Sequence, residues 1–282
     1  MRETLRGLLE LTRPVNAVAA GVLTLIGAYV SGADGGGLAA FPLQGAAAVL
    51  ATVLATGAGN AINDYFDRDI DAINAPDRAI PRGAVSPGGA LFFSVVLFAG
   101  AVVLALTLPV LALAIAGFNL LALVAYTELF KGLPGVGNLL VAYLGGSTFL
   151  FGGAAVEGAL ATAATLAALA ALSTFTREVI KDVEDLAGDR EEGLNTLPIA
   201  VGERRALAVG TAALVVAVLA SPVPYLRESL GLAYLAVVVP ADLLMLGAAA
   251  EAFSDPSDAQ QHMKYGMFLA AAAFLVGRSI AV

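Results

Sequence analysis

The chain contains no cysteine and a single histidine, His262. The first absence excludes a disulfide framework and any thiolate metal site, and the second excludes a zinc site built from histidines. Charge is scarce too, since 13% of the 282 residues are Asp, Glu, Lys or Arg, about half the share found in an ordinary soluble domain. Chemistry is therefore left to carboxylates, Lys and Arg, hydroxyls and amides. The net charge of −8 argues against a nucleic-acid surface. An acidic chain so rich in Ala, Val and Gly suits a salt-rich host.

What the chain has in quantity is apolar surface. It is 59% hydrophobic with a mean hydropathy of +0.85, the composition of a protein that lives in a bilayer. A hydrocarbon core of about 30 Å takes roughly 17 to 25 apolar residues to cross. Nine stretches qualify, near 14–31, 39–63, 89–107, 109–127, 136–155, 159–176, 206–223, 230–250 and 264–282. The expected fold is all-α: one domain over 1–282, with nine transmembrane helices, multi-pass in the cell membrane. The N-terminal stretch MRETLRGLLELTRP mixes acids with its Arg residues and runs into the first span without a processing site, so it reads as mature.

Charge placement tests the count, because Lys and Arg accumulate in cytoplasmic loops. With the N-terminus inside, thirteen of the fifteen Lys and Arg residues fall on the cytoplasmic side and only Arg227 and Arg278 fall outside. A miscounted span would invert every later loop. The long polar stretches Asn60–Gly88 and Arg177–Arg205 are then both cytoplasmic, and each begins while its helix is still leaving the membrane.

The first of these stretches reads GNAINDYFDRDIDAINAPDRAIPRG. On a helix, Asn60, Asn63, Asp64, Asp67 and Asp71 fall within an arc of roughly 100°. The second reads TREVIKDVEDLAGDREEGLNTLP, where Glu178, Asp182, Asp185 and Asp189 fall within about 60°. Both follow a four, three, four spacing, which suggests analogous helix ends and an old internal duplication. Like charges stacked on one face repel, and more so near a membrane. Mg²⁺ offsets that repulsion, being a hard ion usually held by one or two carboxylates together with substrate phosphates. Arg68, Arg78, Arg82, Lys131, Arg177 and Lys181 stand alongside as contacts for phosphate oxygens. Solvated loop charge would account for one such stripe; two with matching spacing point to a shared metal–phosphate site. Asn16 and Asn138 lie in or beside apolar spans, either as interhelical hydrogen bonds or as site-facing groups.

The run N-D-x-x-D-x-x-x-D at Asn63, Asp64, Asp67 and Asp71, followed by PDRAIPRGAVS, resembles the first signature of the UbiA superfamily of intramembrane prenyltransferases. Asp185 and Asp189, followed by EEGLNTLPIAVG, are similar to the second. TRPVN at Thr12–Asn16 and AYTELFKGLPGVGN at Ala125–Asn138 support the likeness, which covers nearly the whole chain. The resemblance implies helices around a central cavity, a diphosphate at a cytoplasmic cap and a prenyl tail in an apolar tunnel open to lipid. It makes Asp64, Asp67, Asp185 and Asp189 the catalytic Mg²⁺ ligands, with Asp71 and Asp182 as outer or second-metal ligands and Asn63 orienting the site. Tyr126, Tyr143, Phe149 and Phe151 would face an allylic carbocation through their π surfaces or serve as ordinary helix packing. One departure is Ala79, which stands where the family's R-P-I-P has its first Pro.

Within the superfamily, REVIKDVEDLAGD at Arg177–Asp189 resembles an archaeal ether-lipid branch. That branch moves a geranylgeranyl group from geranylgeranyl diphosphate to the free hydroxyl of geranylgeranylglyceryl phosphate. The implied partners are a prenyl diphosphate, a lipid-like phosphorylated acceptor and membrane lipid, with no obligatory protein partner. The same scaffold also serves prenylation of an aromatic quinone precursor or a porphyrin. An ion-coupled transporter is the rival from another class, but its carboxylates belong near the membrane midplane rather than at helix ends.

Overall fold

The computed structural model describes residues 2–32, 37–126, 130, 132–191 and 193–279, without the side chains of Ile70 and Asn74. Every regular element among the described residues is helical. In chain order these are α1 (Arg2–Leu11), α2 (Pro14–Val30), α3 (Pro42–Phe66), α4 (Arg68–Asn74), α5 (Pro87–Ala105), α6 (Val110–Ala125) and α7 (Val136–Ala155). They continue with α8 (Leu160–Glu184), α9 (Leu186–Glu191), α10 (Leu197–Val201), α11 (Glu203–Ala220), α12 (Val223–Leu226), α13 (Leu232–Glu251) and α14 (Pro256–Ser279).

Proline sets several of the starts. Pro42 and Pro87 occupy first turns, where the missing N–H costs nothing and the fixed φ already suits a helix. Ser86 caps α5 by accepting the Gly89 N–H at 3.1 Å. Pro14 acts on the residue before it, because proline disfavours the α region in its predecessor. Arg13 adopts a left-handed conformation, φ 45° and ψ 67°, and α1 meets α2 at a bend of 47°.

Each of the nine expected spans coincides with a helix. Among the described residues six helices are long and apolar enough to cross a membrane, and a seventh is counted if the bent α1–α2 pair is one span. The two remaining expectations are α6, which has 16 residues, and α14, whose first turns carry Asp258, His262 and Lys264 ahead of its apolar part. The chain is an all-helical, polytopic integral membrane protein.

Small residues let the helices approach closely, as they do where lipid gives no hydrophobic drive to pack. The tightest contact joins α2 to α7. A Cβ built on Gly152 would lie 2.0 Å from the Thr24 carbonyl oxygen, and one on Gly27 would lie 2.3 Å from the Phe149 carbonyl oxygen. Thr24 and Thr52 share a buried hydroxyl bond of 2.9 Å that ties α2 to α3. Between α2, α7, α8, α11, α13 and α14 lies an apolar cavity of about 380 Å³, walled by Leu23, Phe149, Leu169, Tyr234 and Phe274 among others. Two polar side chains reach it as a bonded pair, Ser221 donating to Asp242 at 2.6 Å.

Candidate active site

Neither acidic stripe is one continuous helix. The long helix α3 stops at Phe66, Asp67 takes φ −81° and ψ 1°, and α4 begins at Arg68. The helix α8 stops at Glu184, Asp185 takes φ −84° and ψ 2°, and α9 begins at Leu186. The backbone ladder nevertheless runs through both breaks. Asp67 donates to the Asn63 carbonyl at 2.8 Å and Asp71 to that of Asp67 at 2.8 Å; Asp185 donates to that of Lys181 at 2.9 Å and Asp189 to that of Asp185 at 3.0 Å. The expected alignment of side chains survives because the turn-by-turn bonding does.

In the first cluster Asp64 and Asp71 are buried, and arginines hold them. The Arg13 guanidinium donates to Asp64 at 2.7 Å. Arg78 donates to Asp71 at 2.6 Å and lies 3.7 Å from Asp64. Burial pulls Arg78 down, but Asp71, Asp64 and Asp67 together outweigh it and raise its pKa above the ordinary arginine value. Arg78 thus joins Asp64 to Asp71 with Asp67 in electrostatic reach, and Arg13 is a second cation on Asp64. Asn60 adds a bond of 2.9 Å to the Thr12 carbonyl, which fixes the start of α2, and with it Arg13, against α3.

In the second cluster Asn138, near the start of α7, donates to Asp182 at 2.8 Å. Of the two readings open for Asn138, this is the interhelical hydrogen bond, from α7 to α8, and its acceptor is a carboxylate of the second row. Lys181 lies 3.7 Å from Asp185. Tyr126, at the end of α6, lies within electrostatic reach of both clusters, of Glu178, Asp182 and Asp189 in the second and of Asp67 in the first.

Other expected residues are placed differently. Arg68 donates to the Tyr65 carbonyl at 2.9 Å and lies over the Tyr65 ring at 4.9 Å, so its charge is held on its own turn. Arg177 bonds Glu178 at 2.7 Å and Gln260 at 3.1 Å, which links α8 to α14. Arg82 bonds Glu10 at 2.5 Å and the Asp77 carbonyl at 2.6 Å. Asn16 is exposed in the first turn of α2, while Asn63 is partly buried beside Asp64. Lys131 lies outside the described residues. Among the expected aromatics, Tyr143 packs edge-on against Phe118, Phe149 packs against Phe274, and Phe151 is buried in a separate core with Ala155.

Sequence reasoning missed Arg13 as a site residue. The available signal was an arginine directly before a proline that opens an apolar span: such a residue is disfavoured in a helix and marks the start of the span. Glu10, Arg13, Asp64, Asp77, Arg78 and Arg82 line one open cleft of about 450 Å³.

Among the described residues no three carboxylate or histidine groups stand close enough to hold a metal unaided. Mg²⁺ needs no such cluster, because one or two carboxylates suffice where water and substrate phosphate complete its octahedron. The position of Arg78 supports the fit: a cation already bridges Asp64 and Asp71.

The profile of the UbiA prenyltransferase family matches residues 17–272. The chain is 64% identical over 276 residues to the digeranylgeranylglyceryl phosphate synthase of Natronomonas pharaonis, covering 98% of both chains. It is 62% identical to the synthase of the same description from Halobacterium salinarum, covering 99% of both. A solved structure described as digeranylgeranylglyceryl phosphate synthase in membranes matches at a TM-score of 0.82 with 34% identity, covering 98% of this chain and 99% of that one. The fold is also that of a UbiA homologue from Archaeoglobus fulgidus solved with GPP and Mg²⁺, at a TM-score of 0.73 and 16% identity over 97% of this chain and 100% of that one. The chain is a prenyltransferase and belongs to the UbiA prenyltransferase family.

Proposed function

We propose that the protein transfers the geranylgeranyl group of geranylgeranyl diphosphate to the hydroxyl of geranylgeranylglyceryl phosphate, with Mg²⁺. The observation that carries this is the pair of carboxylate-bearing helix breaks at Asp67 and Asp185 with Tyr126 within electrostatic reach of both clusters. The synthase description shared by relatives more than 60% identical over nearly the full chain supports the choice of acceptor.

In this reading Asp64, Asp67, Asp185 and Asp189 are the oxygen donors for metal, and Asp71 and Asp182 are held close behind by Arg78 and Asn138. Bound Mg²⁺ supplies the positive charge that steadies a departing diphosphate. Arg78 orients the first cluster, Asn138 fixes the Asp182 carboxylate, and Tyr126 places an aromatic face beside the reacting end. The bond from the allylic carbon to diphosphate oxygen breaks, the acceptor oxygen bonds that carbon, and the hydroxyl proton passes to a basic oxygen of the site. The apolar cavity of about 380 Å³ is the natural room for a prenyl tail. Nine spans with the N-terminus and active site facing the cytoplasm complete the reading, supported by the clustering of Lys and Arg at one end.

A direct competition tests the acceptor. Labelled geranylgeranyl diphosphate is offered with geranylgeranylglyceryl phosphate, 4-hydroxybenzoate and a dihydroxynaphthoate together, and the products are identified by mass. The ether lipid is expected as the main product. A prenylated aromatic would overturn the acceptor while leaving the family and the metal site standing.

A further inference from the structure

The cleft beside the first cluster differs from the space between the clusters in what lines it. Its walls come from α1, the Arg13 junction, Asp64 and the loop from Ala75 to Arg82, and no residue of the second cluster reaches it. A diphosphate gripped through metal by both clusters is therefore centred elsewhere, with Asp64 on the border of both spaces. The cleft leaves room for a second anion one side chain away.

Three guanidinium groups face this cleft, and all keep donors to spare. Each carries five N–H groups. Arg13 spends one nitrogen on Asp64, Arg78 spends one on Asp71, and Arg82 spends two on Glu10 and the Asp77 carbonyl. The remaining donors are a forked set suited to the oxygens of a phosphate monoester. The carboxylates that neutralise the arginines can each be relieved: Asp64 by metal, and Glu10 by retaining its second arginine, Arg6, at 2.9 Å.

We infer that this cleft receives the phosphate of the acceptor, with Arg13 and Arg82 as its binding residues and Glu10 as the carboxylate that holds Arg82 until it arrives. Asp64 then belongs to both subsites. When its charge is taken up on the donor side, Arg13 is released to the acceptor phosphate, so donor and acceptor bind with positive coupling. The inference rests on the phosphorylated acceptor proposed above.

Equilibrium binding to the full chain in detergent tests it, with labelled geranylgeranylglyceryl phosphate and labelled geranylgeranyl diphosphate plus Mg²⁺ measured separately. Arg82→Gln is expected to weaken acceptor binding by about tenfold or more, the scale of a lost bond to a charged group, and to leave donor binding unchanged. Glu10→Gln is expected to tighten acceptor binding, because it removes the competitor for Arg82. Mg²⁺ with inorganic pyrophosphate should tighten the acceptor on the unaltered protein and not on Arg13→Gln. Equal losses of donor and acceptor in Arg82→Gln, or weaker acceptor binding in Glu10→Gln, would make the Glu10–Arg82 pair a structural clasp and overturn the assignment. If the unaltered protein binds 4-hydroxybenzoate and not the glyceryl phosphate, the acceptor reading itself fails and the cleft assignment falls with it.

Discussion

Asp67 and Asp185 are conformational counterparts: each follows a 25-residue helix, each sits within a few degrees of φ −82° and ψ 2°, and each starts a short helix that carries the next acid four residues on. That region of backbone space is sparsely populated and recurs at active-site residues. Here it lets the chain leave the long helix without breaking the hydrogen-bond ladder. The carboxylates before and after the step stay in one row, and the matched spacing read from the sequence becomes a matched pair of local structures.

The first prediction tests the two rows together. Asp64→Asn and Asp185→Asn should each lower turnover by about 10² or more, the scale of removing one charge-stabilising group, while the elution profile and helical circular dichroism stay unchanged. Excess EDTA should abolish binding of geranylgeranyl diphosphate, and added Mg²⁺ or Mn²⁺ should restore it. Near-normal rates in both variants would return the acids to the status of solvated loop charge.

Gly152→Ala should destabilise the bundle. The new methyl would fall 2.0 Å from the Thr24 carbonyl oxygen, a backbone atom that cannot turn aside, so α2 and α7 must separate. Overpacking of this kind costs about 1–3 kcal/mol. A thermal-shift comparison with Gly247→Ala, where the added methyl meets nothing within 4 Å, checks it. Equal melting temperatures for the two variants would show that the α2–α7 contact is not tight.

His262 is a natural probe, being the only histidine in the chain. Its Nδ1 lies 2.6 Å from Glu251, and that bond, with the charge of Glu251, raises its pKa above the ordinary 6.5. A raised folded-state value means that the pair stabilises fully below pH 6.5 and that this contribution is lost as pH rises through the folded pKa. The imidazole NMR resonance should titrate above 6.5, and Glu251→Gln should bring its midpoint back down. An unchanged midpoint in that variant would remove Glu251 as the cause.

Topology is open to labelling because the background holds no cysteine. Single Cys substitutions at Ser86 and Arg190 should react with an impermeant reagent from the cytoplasmic side, and one at Glu157, in the α7–α8 turn, from the outside. Ser86 and Glu157 reacting from the same side would mean a miscounted span.

The helical class, a helix at the position of every expected span and the two acidic rows were legible in the sequence, because each depends on spacing and hydropathy alone. What was not legible depends on contacts between distant segments. Arg13 reaches Asp64 across 51 positions, and nothing in TRPVN announces that partner. Asn138 resembled any polar residue near a helix start until α7 packed on α8 and brought it to Asp182. The partners of the other basic residues were hidden for the same reason: Arg68 folds back on the Tyr65 carbonyl and ring, and Arg177 reaches Gln260 across 83 positions. Asp242 drew no notice among apolar neighbours, although Ser221 and Tyr234 arrange themselves around it, Tyr234 donating to the Ser221 carbonyl at 2.7 Å.

The glycine contact between α2 and α7 reaches beyond stability. Arg13, which holds the first acidic row, stands at the start of α2; Asn138, which holds the second, stands near the start of α7. From Gly27 back to Arg13 is roughly 20 Å of helix at about 1.5 Å per residue. The two helices therefore act as the arms of a caliper whose pivot is the backbone-to-backbone seat at Gly27 and Gly152, and the opening between the rows is gauged from that distant joint. An ångström added at the pivot is carried to the jaws, so the spacing of the two acidic rows is written into two glycines that belong to neither.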